Sequence, residues 1–213
     1  MRTVGSNGEA TSEAIRQASL ELIYEVGFEA ASLRTLAKKV GVHVSSLYNY
    51  FNSKQDLLTF IIRTTFEQRL VRLEKALDGI TDPREALIAF VRQAVDLHTR
   101  HKEEAVIGDR ELGRLSPEIR AEVVALRDSY DRRITQILRQ GIATGAFTIS
   151  EPRIATFAII GMISRVSKWH KGNGRLSEGE LEELFVGYIL QMVGAKVAEA
   201  VDAPPQRKAR RAS

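Results

Sequence analysis

Apolar residues recur along this chain at intervals of three and four, and no stretch sustains alternation of apolar and polar residues. That regularity confines the fold to packed helices, because a half-buried strand needs a period of two. The first helix is expected from Ser12, a candidate N-cap, to Val26. Its apolar stripe would be Ala14, Ile15, Ala18, Leu22 and Val26, with Gly27 as a left-handed C-cap. A second follows Ser32 and stops at Gly41, with Leu33, Leu36, Ala37 and Val40 inward. A third, very short, covers about Val44–Tyr50, and a fourth opens at Ser53 and runs to about Leu77. Longer helices are expected from Asp82-Pro83 to about Lys102, from Ser116-Pro117 to Gly141 or Gly145, and from Glu151-Pro152 to the loop Lys171-Gly172-Asn173-Gly174. A shorter one spans about Ala105–Leu112, and the last starts at Ser177 and ends near Ala200.

Charge needs to be located before it is interpreted. The net charge is +4, but Arg207, Lys208, Arg210 and Arg211 alone supply it, leaving residues 1–202 neutral. Residues 1–56 hold six Lys/Arg against six Asp/Glu. A nucleic-acid reading must therefore rest on where charges sit, not on their total. No apolar run approaches the roughly 18 residues of a membrane span. The opening MRTVGSNGEAT lacks the apolar centre of a secretory signal. With no cysteine, disulfide scaffolds, zinc ribbons and thiol nucleophiles are excluded. The expectation is a cytoplasmic protein without membrane contact.

The most informative segment is Ser32–Asp56, SLRTLAKKVGVHVSSLYNYFNSKQD. Two short amphipathic helices meet at Val40-Gly41-Val42-His43, where Gly41 suits a reversal with positive φ. Leu36, Ala37, Val42, Leu47 and Phe51 are spaced to share one small core. Val44, Ser45, Ser46, Tyr48 and Asn49 then form a polar, small-residue face on the second helix. Such a face can enter a major groove, where short side chains permit close approach and hydroxyls and an amide meet base edges. Arg34, Thr35, Tyr50 and Lys54 flank it, placed for phosphates.

The run Ile15–Leu58 resembles the N-terminal domain of the TetR family. The matching positions are Gly27-Phe28, Ser32 with Leu36-Ala37, Gly41-Val42, Leu47-Tyr48-Asn49-Tyr50-Phe51 and Ser53-Lys54; His43 departs from the small polar residue usual after Gly-Val. The resemblance implies an all-α fold in three parts: a helix-turn-helix DNA-binding domain over 1–52, a ligand-binding and dimerisation domain over 53–202, and a disordered basic tail over 203–213. It further implies a homodimer on a palindromic double-stranded DNA operator. Tyr50 and Lys54 would contact phosphates, and Val44, Ser45, Ser46, Tyr48 and Asn49 would face bases. The last two helices would pair across a two-fold axis. Ala158, Gly161 and Ser164 on one, with Gly187 and Gly194 on the other, would allow close approach.

Two later stretches, DRELGRL at 109–115 and SKWHKGNGRLS at 167–177, resemble a TetR subgroup that answers to acyl-CoA thioesters. Arg165 and Trp169, four apart, are the candidate ligand-binding pair: a guanidinium for phosphate and an indole for an apolar or ring portion. His98, His101 and Glu104 share a metal-like spacing, but solvated surface is the stronger reading; neither metal nor cofactor is expected. The competing reading is a helical enzyme on lipid-like or CoA substrates. It finds no GxSxG elbow, phosphate loop or cysteine to carry it.

Overall fold

Five helices start at a side chain that satisfies free backbone N–H groups of the first turn. The Ser32 hydroxyl accepts from Thr35 N at 3.1 Å, Ser53 from Asp56 N at 3.0 Å and Ser116 from Ile119 N at 3.4 Å. Asp82 accepts from Arg84 N and Glu85 N at 2.8 and 2.9 Å. Ser177 and Glu180 cap each other's backbone in a capping box. The computed structural model describes residues 6–195, and every regular element among them is helical: α1 (Ser6–Ala30), α2 (Leu33–Val40), α3 (Val44–Tyr48), α4 (Lys54–Leu77), α5 (Pro83–Arg100), α6 (Lys102–Arg110), α7 (Pro117–Ala143), α8 (Pro152–Ser164), α9 (Val166–Trp169) and α10 (Glu178–Met192), with a 3₁₀ turn at Leu112–Arg114. No helix among the described residues is long and apolar enough to cross a membrane.

Several boundaries differ from expectation. Helix α1 begins at Ser6, so Ser12 lies inside it rather than capping it. Gly27 has positive φ as expected, but its φ 80°, ψ 159° break the helix in an extended rather than a left-handed helical conformation. Ala14 and Val26 are exposed, and the buried face of α1 is instead Ile15, Arg16, Ser19, Leu20, Leu22 and Ile23. The Ser19 hydroxyl is satisfied by Ile15 O at 2.6 Å. Helix α3 ends at Tyr48, two residues early. Helix α6 starts three residues early, at Lys102. At Arg165 the Lys168 N–H bonds the carbonyl three residues back, so one expected helix becomes α8 and α9. The expected continuation of α10 to Ala200, and the basic tail, lie outside the described residues.

Two cores are strung along α4. Leu57, Leu58, Ile61, Ile62 and Phe66 pack with α1–α3, joined by Ile107 of α6 and Val123 of α7. Leu73 and Leu77 pack with α5, α7, α8 and α10 around Leu87, Phe90, Ile134, Leu138 and Ile189. The first half of α4 thus belongs to the N-terminal core, and the cores do not divide at residue 53.

The junction between them is ionic as well as apolar. Arg16 of α1, only 2% exposed, donates to Glu104 of α6 at 3.0 Å and grips Glu13 at 2.6–3.0 Å. Arg72 of α4 donates to the other Glu104 oxygen at 2.9 Å. Burial opposes ionisation of Glu104, but Arg72 and Arg16 outweigh it and hold the carboxyl below the usual glutamate range. Nearby, Arg110 Nη2 donates to Ile23 O at 2.8 Å, and Glu111 takes Arg110 and Arg114 at 2.7 Å each.

Candidate functional site

Helix α2 and helix α3 are held at a fixed angle by the reversal at Gly41, whose φ 76°, ψ 30° is the left-handed conformation its position requires. Leu36, Ala37, Leu47 and Phe51 are buried beneath, with Val42 packed against them. This seat leaves Ser45, Tyr48 and Asn49 on the outer face of α3, all exposed. Ser46 is half-buried, and Val44 is half-buried and packs against the N-terminal core. Arg34, Thr35 and Tyr50 are exposed around the rim, and the Thr35 hydroxyl hydrogen-bonds Ser32 at 2.8 Å. His43 stands at the N-cap of α3 but makes no side-chain cap, so the short helix depends on its packed underside. Lys54 is half-buried: its ammonium donates to Glu29 O at 2.9 Å and lies 4.4 Å above the Phe28 ring. Two of its three donors remain for a phosphate.

The second feature lies between α4, α5, α6, α7 and α8. A cavity of about 260 Å³ has apolar walls from Phe66, Phe90, Leu97, Ile160 and Ile163, and its polar lining includes Arg69, His98, Asp109, Arg127, Tyr130 and Asp131. Burial, reinforced by the charge of Arg69, pushes His98 down to about 4, so it is neutral at physiological pH. Burial pushes Tyr130 and Asp131 up, against the opposing charges of Arg69 on both and Arg127 on Asp131. Next to the cavity, and sharing Asp131 and Phe157 with it, an open groove of about 670 Å³ runs between α7 and α8. Arg132, Arg139 and Arg153 line it, and none of the three is in an ion pair among the described residues.

Arg165 and Trp169, the sequence-predicted ligand pair, are both exposed, and neither lines this cavity. Trp169 borders a separate surface groove with Lys171 and Arg175. The break at Arg165 puts this pair beyond the end of α8, so an indole four residues from a guanidinium does not reach the interior. The cavity residues were missed because they are polar. Arg69 continues the inward register Leu58, Ile62, Phe66 and Leu73 of α4, and His98 continues Val91, Ala94 and Val95 of α5. A polar residue in an apolar register was the available signal. His98, His101 and Glu104 do not converge: His98 lines the cavity, Glu104 lies between two arginines, and no metal-like cluster occurs among the described residues.

An apolar set of residues on two helix faces is also exposed. Ile154, Phe157, Ala158 and Gly161 of α8 are exposed, as are Leu184, Gly187, Tyr188 and Met192 of α10. Gly194 is not part of it: with φ 61° it turns the chain after α10 against Thr148, where a Cβ would lie 1.9 Å from the hydroxyl. Ser164 is turned inward and lines the cavity.

Residues 15–59 match the model for bacterial regulatory proteins of the tetR family, and residues 81–193 match a tetracyclin repressor-like C-terminal domain. The HTH-type transcriptional repressor KstR2 of Mycolicibacterium smegmatis is 24% identical over 180 residues, covering 84% of this chain and 88% of that protein. The fatty acid metabolism regulator protein of Bacillus subtilis is 26% identical over 180 residues, covering 81% and 93%. Among solved structures, AibR in complex with isovaleryl coenzyme A and operator DNA superposes with a TM-score of 0.77 at 24% identity, covering 87% of this chain and all of that one. PfmR from Thermus thermophilus superposes with a TM-score of 0.74 at 28% identity, covering 85% and 97%. These relatives are regulators, not enzymes, and the two family models match residues of both cores: the chain belongs to the TetR family of transcriptional regulators.

Proposed function

We propose that this protein is a ligand-responsive repressor that binds a palindromic operator as a homodimer and leaves it when a small molecule fills the cavity between α4 and α8. The carrying observation is the exposed face of α3: Ser45, Tyr48 and Asn49 stand out from a helix whose other side is locked into the core. In this reading those residues, with Ser46 and Val44 beside them, meet base edges, while Arg34, Thr35, Tyr50 and Lys54 hold phosphates. The second copy docks on the apolar face of α8 and α10, so that two recognition helices reach successive major grooves.

The effector we infer is an acyl-CoA-type metabolite. The apolar cavity suits an acyl portion, and the adjoining groove with Arg132, Arg139 and Arg153 suits a phosphate-bearing portion. The isovaleryl coenzyme A bound by AibR and the fatty-acid role of the Bacillus subtilis relative support that class. Coupling follows from where α4 lies: Phe66 and Arg69 line the cavity, while Leu57 and Leu58 on the same helix pack under α1–α3. A ligand preferring one disposition of α4 shifts the separation of the two recognition helices, and only that difference in affinity drives release.

Replacing Tyr48 and Asn49 together by alanine is expected to abolish discrimination between operator and random DNA, leaving only weak, salt-sensitive binding, with the melting temperature little changed. Fluorescence anisotropy on both DNAs measures it. Undiminished operator preference would refute base contact by this face.

A further inference from the structure

We propose that the ligand accepted by the inner cavity carries a carboxylate on its small apolar portion, and that Arg69 is the counter-ion of that carboxylate. This rests on the reading of the cavity as the effector site and specifies the chemistry of what enters it.

Arg69 lines the cavity with its guanidinium 4.8 Å from the centre of the Phe66 ring. Its Nε and Nη2 atoms are buried and have no hydrogen-bond partner among the described residues. These two nitrogens form one edge of the guanidinium fork, the edge that takes a carboxylate with two parallel hydrogen bonds. His98, itself nine-tenths buried, leaves Nδ1 equally unpartnered beside the same cavity. Buried polar groups are almost always satisfied, and an uncompensated buried cation is costlier still. The other charges do not resolve this. Asp131 stands one turn from Arg127 on α7 and feels its charge, but forms no ion pair with it. Asp131 feels the charge of Arg69 but forms no ion pair with it, and Asp109 forms none either.

The cavity therefore holds a cation with donors to spare among apolar walls. An anion that brings its own apolar body satisfies both. At about 260 Å³ the space falls just below the roughly 300–1,000 Å³ of most ligand sites, so the enclosed part is short. A free short-chain acid meets this description, as does a CoA thioester whose acyl chain ends in a second carboxylate. The shared chemistry is a carboxylate on a small apolar body.

Calorimetric titration of the intact protein with two matched pairs separates them: hexanoate against hexan-1-ol, and glutaryl-CoA against pentanoyl-CoA. In at least one pair the carboxylate member is expected to bind about tenfold tighter or more, as a charge-assisted bidentate contact would give. The pair that shows it identifies free acid or thioester. Arg69→Met, which keeps the packing on Phe66, is expected to erase the preference, and Arg69→Lys to retain part of it. Arg69→Met should also melt no lower than the parent without ligand, because the charge it removes has no hydrogen-bond or ion-pair partner among the described residues and the methionine keeps the contact with Phe66. The proposal is overturned if neutral members bind as tightly, if the preference survives Arg69→Met, or if neither carboxylate binds at millimolar concentration. Operator binding measured on the same samples keeps the two readings apart: a parent protein that ignores operator DNA refutes the repressor, whereas one that binds operator and prefers neutral ligands refutes only the carboxylate.

Discussion

Glu104→Gln is expected to destabilise the protein by roughly 3–5 kcal/mol, the usual cost of removing one partner from a buried ion pair. At this chain length that corresponds to a fall in melting temperature of about 6–20 °C. The cause is not the loss of a favourable contact as such. Buried ion pairs are close to neutral for stability once desolvation is counted, but Arg16 has almost no access to water and cannot shed its charge. Without the Glu104 carboxylate it keeps only Glu13, which is half exposed, and Arg72 loses its anionic partner at the same time, keeping Gln68 Oε1 at 3.4 Å. Glutamine preserves size and one carbonyl acceptor, so the effect isolates the charge. The pH dependence follows with a definite sign. The carboxyl of Glu104 is held below its ordinary range in the folded state, so its contribution is full above the ordinary glutamate pKa and is lost as pH falls through the lowered folded value. The stability gap between parent and Glu104→Gln should accordingly be wide at neutral pH and narrow in acid. Urea unfolding across that range measures it, and a gap independent of pH would refute the assignment.

Tyr188→Asp is expected to convert the dimer to a monomer and to weaken operator binding by about 100-fold or more, since each copy would then engage one half-site without the effective concentration its partner supplies. Tyr188 is 56% exposed in the centre of the α10 stripe, with Leu184 and Met192 on either side and Ile154 and Phe157 on α8 at 63% and 48%. The opposite side of α10 is consumed within the chain, where Leu181, Phe185 and Ile189 are buried in the core against α5. In the proposed dimer a two-fold axis through this face would bring each Tyr188 near the same patch of the other copy, so a substituted carboxylate would be buried twice and face its own kind. Light scattering gives the mass and anisotropy the affinity. A dimer that persists with undiminished operator affinity would place the interface elsewhere.

Local signals were legible in the sequence. The cap residues Ser32, Ser53, Asp82, Ser116 and Ser177 act within three residues of themselves, and each starts a helix where expected. Gly41 was legible for the same reason: the reversal needs positive φ and its neighbours are helical. The outer face of α3 followed from assigning Leu36, Ala37, Leu47 and Phe51 to the core. What escaped depends on residues distant in sequence. Arg16 interrupts the apolar pattern of α1 because its partner Glu104 is 88 positions away. The cavity draws its lining from five helices, from Phe66 on α4 to Ser164 on α8, so no window contains it. Of the small residues expected at a dimer interface, Ala158, Gly161 and Gly187 are exposed and Ser164 and Gly194 are not. The large exposed side chains that dominate that face could not be singled out, because periodicity does not distinguish a face that meets the chain's own core from one that meets a second copy.

Selection of binding sites from random double-stranded DNA by the ligand-free protein tests operator recognition most directly. One near-palindromic sequence should be enriched, with half-site centres about 34–36 Å apart or at a multiple of that turn, as two copies of α3 related by a two-fold axis require. Recovery of no common sequence at any salt concentration, or of a lone half-site bound by one copy, would contradict it.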